Sequence, residues 1–158
     1  MRCNLRNVQL NHSLKFHALS YVWGTEPPTH SITVNEKVDI KSNLYSALRR
    51  IQSQFTDLEL WCDALCMNQD DSEEKNREVL RMGDIYRSAE RVVIWLGKEE
   101  QKSDLAMSNI RKWGGFYHSL RKQPSALLQP RFGSLFDPAA WNAMRYLFER
   151  LWWFRIWI

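Results

Sequence analysis

Residues 58–97, LELWCDALCMNQDDSEEKNREVLRMGDIYRSAERVVIWLG, decide how the chain folds. Leu58-Glu59-Leu60-Trp61-Cys62 alternates and carries bulky side chains, the pattern of a strand buried on at least one face, and it should end near Asp63. A polar turn follows at Asn68-Gln69-Asp70-Asp71-Ser72. Asp70 lies three before Glu73 and Asp71 three before Glu74, so either pair can open a helix as a capping box. Val79, Met82, Ile85, Tyr86 and Ala89 then recur at three- and four-residue steps and draw one apolar stripe along that helix. Val92-Val93-Ile94-Trp95-Leu96, closed by Gly97, is an unbroken apolar run that fits a strand covered on both faces, as in a parallel sheet. The stretch is one strand-helix-strand unit.

Outward from it, Phe16 to Trp23 reads as another core strand, stopped by Gly24 and Pro27-Pro28. Ser31-Ile32-Thr33-Val34 and Val38-Asp39-Ile40 alternate around Asn35-Glu36-Lys37, a small hairpin added to the sheet or set beside it. Ser42 or Asn43 can cap a helix whose apolar face is Leu44, Ala47, Leu48, Ile51 and Phe55. Leu5, Val8, Leu10 and Leu14 suit an edge strand or an extended lead-in. After Gly97, Ser103 can cap a helix carrying Leu105, Met107, Ile110 and Trp113, ended by Gly114-Gly115. Pro124 to Pro138 reads as a long irregular connection. Asp137-Pro138 then starts a further helix with Trp141, Met144, Leu147, Phe148 and Leu151 on its apolar side. The expected class is α/β: a mainly parallel central sheet flanked by helices, with an added small hairpin.

A chain of 158 residues suits one domain with one core. The formal charge of +4 is scattered among acidic residues, which argues against nucleic acid as a partner. Cys3, Cys62 and Cys66 have no second Cys or His cluster at ligand spacing, so they read as reduced thiols, not a metal site, and point to the cytoplasm. No apolar run approaches the length of a membrane span. The dense aromatic end, Trp152-Trp153-Phe154-Arg155-Ile156-Trp157-Ile158, suggests a parent chain that continues.

Three blocks carry a resemblance. Ala18-Leu19-Ser20-Tyr21-Val22-Trp23-Gly24, Leu60-Trp61-Cys62-Asp63-Ala64-Leu65-Cys66-Met67-Asn68-Gln69-Asp70 and Trp153-Phe154-Arg155-Ile156-Trp157 resemble ordered blocks of the fungal heterokaryon incompatibility (HET) domain over Phe16 to Ile158. Cys62 and Met67 stand where that family more often has an aliphatic residue, and Lys75 where it has Arg. The resemblance implies a role in non-self recognition and regulated cell death. It also implies a distant similarity to Toll/interleukin-1 receptor (TIR) domains, some of which cleave NAD with a glutamate from a late helix. In this chain that glutamate would lie beyond Ile158.

In open parallel sheets ligands bind beyond the carboxyl ends of the strands. That rule places Tyr21, Trp23, Gly24, Thr25 and Glu26, then Asp63, Asn68 and Gln69, then Gly97 and Lys98 around one candidate nucleotide pocket with NAD as the possible substrate. Each has a plainer role. Asp63 binds a ribose hydroxyl or holds the 68–71 loop; Trp23 stacks on a base or is a core ring before a turn; Asn68 and Gln69 bind ribose oxygens or stabilise their own loop. A nucleophilic Cys66 would need His17 or His118 as base and Asp63 as orienter, and nothing in the spacing demands that trio. The rival class is a non-catalytic module that acts by self-association or by contacts with incompatibility partners, through aromatic surface.

Overall fold

The computed structural model describes residues 1–11, 13–55, 57–122 and 137–155, with the side chains of 119, 120 and 122 excepted. The chain divides into two compact units, Met1–Gly97 and Lys98–Ile158. The first holds β1 (Arg2–Cys3), β2 (His17–Tyr21), β3 (His30–Val34), β4 (Glu36–Ile40), α1 (Ser42–Gln52), β5 (Leu60–Trp61), α2 (Asp63–Cys66), α3 (Ser72–Ser88) and β6 (Arg91–Trp95). The second holds α4 (Ser103–Lys122), α5 (Pro138–Phe148) and a 3-10 turn at Leu151–Phe154.

Two three-stranded sheets build the first unit. One is parallel throughout, in the order β5-β2-β6. The strands of the decisive stretch are therefore not neighbours; β2 lies between them. All five residues of β2 are buried, and its two faces serve different layers. Leu19 and Tyr21 join the cluster of Leu44, Ala47, Leu48 and Ile51 from α1, with Ile32, Val34 and Ile40 from the hairpin. Phe16 and Ala18 pack on Ile85, Tyr86 and Ala89 at the end of α3. The hairpin stands beside this sheet, in a second one of order β1-β3-β4, where β1 runs parallel to β3 and β3 antiparallel to β4. Asn35 makes the turn with φ 58, a left-handed value that Asn tolerates.

Several expectations are corrected. The strand at Leu58–Cys62 is cut to two residues because Cys62 C=O turns to accept from Leu65 and Cys66 N–H, so α2 begins at Asp63. β6 is not covered on both faces: as the sheet's edge it leaves Val92 and Ile94 43% and 47% exposed. Neither Ser42 nor Asn43 caps α1, whose N-cap position is Lys41. Phe55 falls beyond the helix and is exposed. α4 runs through Gly114 and Gly115, where an added Cβ would meet nothing within 4 Å, so the pair does not end it. On α5 the buried stripe is Ala140, Ala143, Met144 and Leu147, whereas Trp141, Phe148 and Leu151 are exposed. The connection expected at Pro124 to Pro138 lies almost wholly outside the described residues, as do Ile156, Trp157 and Ile158.

Other signals act as written. Asp71 caps α3, its Oδ1 accepting from Glu73 N–H at 2.9 Å and Glu74 N–H at 3.0 Å. Glu74 does not return the bond to Asp71; its carboxylate accepts from Asn68 N–H instead. Asp137 caps α5 through Ala139 N–H at 2.9 Å. Removing the cap with Asp71→Ala should cost about 1 kcal/mol in urea unfolding. Leu44→Ala, which empties a site with 2% exposure, should cost about 3 kcal/mol; equal costs would mean that α1 does not hold the core.

Candidate functional site at the carboxyl end of the parallel sheet

The topology brings the two predicted blocks together. β2 and β5 are adjacent and parallel, so the residues that follow them leave the same end of the sheet. Trp23 Nε1–H donates to Asp63 Oδ2 at 2.9 Å across forty residues of chain. Tyr21, from the last position of β2, places its hydroxyl on Cys62 and on the Asp63 carboxylate. Asp63 is 2% exposed. Its Oδ1 accepts from Ala64 N–H at 2.8 Å, and its backbone C=O accepts Gln69 Nε2–H at 2.9 Å. A buried carboxylate is retained only where donors surround it, and here they come from the indole, the phenol and the start of α2.

The remaining rim residues attach to this knot or to their own loops. Asn68 Oδ1 accepts from Asp70 N–H at 3.1 Å, an Asx turn. Gln69 Nε2 also reaches Met67 C=O, while its Oε1 is buried without a hydrogen-bond partner among the described residues. Gly24 takes φ 73, and the Glu26 carboxylate lies where a Cβ would project. Thr25 is exposed. Gly97, at φ 108, closes the first unit; Lys98 opens the second.

Two residues not assigned to the site on sequence grounds hold it in place. Asn43 Nδ2–H donates to Val22 C=O at 2.7 Å, and its Oδ1 accepts from Trp95 Nε1–H at 2.8 Å. One amide thus ties the ends of β2 and β6 to the start of α1. Lys41 Nζ donates to Gly24 C=O at 2.8 Å. The signal for Asn43 was present in the sequence, but an Asn one position into a helix looks like a cap.

The thiols are set for burial, not attack. Desolvation pushes Cys62 and Cys66 upward, with the neighbouring Asp63 charge adding to it, and Tyr21 is raised by burial and then by Cys62 and Asp63. Cys66 Sγ accepts from Cys62 N–H at 3.4 Å. His17 lies elsewhere, its Nε2 3.9 Å from Glu90 and its ring edge-on to Phe55; His118 belongs to the second unit. Among the described residues no group of three His, Cys, Asp or Glu side chains could hold a metal ion, and no helix is long and apolar enough to cross a membrane.

The polar groups expected to line a pocket therefore meet one another. An open groove of about 910 Å³ lies elsewhere among the described residues, bordered by the amino-terminal segment, β5 and α3. Trp23→Phe and Asp63→Asn should each lower stability by about 1–3 kcal/mol. The double variant should cost less than their sum, because the two act through one bond; strict additivity in urea unfolding would deny the coupling. Cys62 should resist iodoacetamide at pH 8 until the chain unfolds. The stability gained by keeping it protonated is complete below its ordinary value of 9.0. It is lost as pH climbs from there toward the raised native value.

Comparison with known proteins agrees with the block pattern. The profile described as heterokaryon incompatibility protein (HET) matches residues 16–158. Heterokaryon incompatibility protein 6, OR allele, of Neurospora crassa is 36% identical over 126 residues, covering 71% of this chain and 18% of the relative. The chain thus spans about a fifth of the length of that relative. No solved structure matches. With nearly the whole sequence inside the family profile, and with both sequence blocks meeting at one sheet end, the chain belongs to the heterokaryon incompatibility (HET) family.

Proposed function

We propose that this chain is the incompatibility domain of a larger fungal protein, acting in the cytoplasm, and that it passes a non-self signal toward cell death through contacts with other proteins. The observation that carries this is the closure of the strand-end network. The Asp63 carboxylate is engaged by Trp23, Tyr21 and Ala64, and its backbone C=O by Gln69, so the carboxylate best placed to hold a ribose has its oxygens already in use. Surface of the opposite character supports the same reading: Trp141, Phe148, Leu151 and Phe154 are exposed on the helical unit, and large exposed apolar groups mark interaction sites.

A second reading, TIR-like cleavage of NAD, draws support from the sheet order. The first strand of the parallel sheet lies between the second and third, which is how the flavodoxin-like doubly wound order 2-1-3-4-5 begins, with ligands at the carboxyl ends. In that reading Trp23 swings off Asp63 to admit the nucleotide, and a glutamate outside this chain supports ribosyl-bond cleavage by stabilising developing positive charge. The two part on one assay. Full-length protein incubated with NAD should release no nicotinamide above background, monomeric or assembled. Turnover that disappears in a folded Asp63→Asn variant would replace the first reading with the second.

A further inference from the structure

Two strand edges in the first unit end on the same groove. In a parallel ladder alternate residues bond to one neighbour, and the residues between them point to the other side. His17, opposite Leu60, donates its N–H to Glu59 C=O at 2.9 Å, so Leu60 directs its own N–H and C=O away from β2. In the other sheet Thr33, opposite Arg2, donates to Met1 C=O at 3.1 Å, so Arg2 directs its N–H and C=O away from β3. Neither of these outward pairs has a backbone partner among the described residues. Arg2 and Leu60 both line the 910 Å³ groove.

Edges of this kind are normally covered or charged, because an open row of backbone groups templates another strand. The charges along this groove offset each other: Arg6 pairs with Glu59 and Arg81 with Glu78, each at 3.0 Å, and Glu74 accepts from Asn68 N–H. Between them Leu5, Val8 and Phe55, each exposed, supply apolar lining. Backbone donors and acceptors, apolar seats and little net charge are complementary to an extended, uncharged segment. Strand addition to a free edge takes its affinity from main-chain hydrogen bonds and its selectivity from seats for alternate side chains.

We propose that this groove receives an extended, uncharged segment of a partner protein, apolar at alternate positions, as a strand laid against the free edges of β1 and β5. This rests on the reading that the chain acts through protein contacts and names the surface and the partner chemistry.

The test uses full-length protein and a hexapeptide library with Val, Ile, Leu or Phe alternating with Thr, Ser or Gln. The selected pool should slow amide exchange at Arg2 and Leu60 at least tenfold. The same peptides N-methylated at every second residue should bind at least tenfold more weakly, a control that needs no variant. Arg2→Pro removes one outward donor without touching the bond to β3, and it should weaken the pool severalfold while circular dichroism stays unchanged. Failure to select any peptide, or protection confined to other amides, overturns the proposal. Protection of Arg2 and Leu60 by self-association alone also overturns it, by assigning the groove to a second copy. A negative result leaves the nicotinamide assay unaffected, so loss of this site and loss of the protein-contact reading are separate outcomes.

Discussion

Everything in the first unit depends on β2 having no exposed side chain. A strand buried on both faces needs cover on both, and here α1 supplies one layer and the end of α3 the other. It also needs neighbours at both edges, because buried backbone groups left unpaired cost as much as a lost hydrogen bond. β6 runs the full length of one edge, but β5 pairs only with His17 and Ala18. Where β5 stops, Tyr86 reaches over from α3 and gives its hydroxyl hydrogen to Leu19 C=O at 3.1 Å. A side chain thus completes an edge that a strand leaves short.

The same shortness explains the buried carboxylate. Because Cys62 turns its carbonyl into α2, Asp63 becomes the first residue of a helix instead of the last of a strand. Its side chain then faces back under Tyr21 and Trp23, not out over a cleft. Asn43 and Lys41 brace the same end from α1, so four segments distant in sequence meet in one hydrogen-bonded knot. Such a knot rigidifies the strand ends when every member is satisfied, and Gln69 Oε1 is its buried polar atom lacking a hydrogen-bond partner among the described residues.

Much of this was legible in residue order. The five residues of β2, the alternating hairpin, the Asp71 and Asp137 caps and the α1 stripe all follow from local rules, and the HET blocks mark where chain segments converge. What escaped was set by neighbours. Periodicity cannot tell that Val92 and Ile94 lie on an edge strand, nor that β2 would separate β5 from β6. Gly114 and Gly115 look like a stop, yet α4 runs through both without either taking the left-handed conformation. At the site, pattern brought Trp23 and Asp63 to one place but left open whether they face a ligand or each other, because that depends on a hydrogen bond between residues forty positions apart.

The order of strands in the parallel sheet also governs when the unit can close during synthesis. The hairpin finds its partner strand a few residues away, a contact that is cheap in loop entropy. β2 must wait for two later strands, the second of them ending at Trp95. Until that point leaves the ribosome, this fully buried strand lacks its longer edge partner, β6, and it stays open to wrong association. A nascent chain stalled before Trp95 is therefore a natural client for chaperones, whatever the finished domain goes on to recognise.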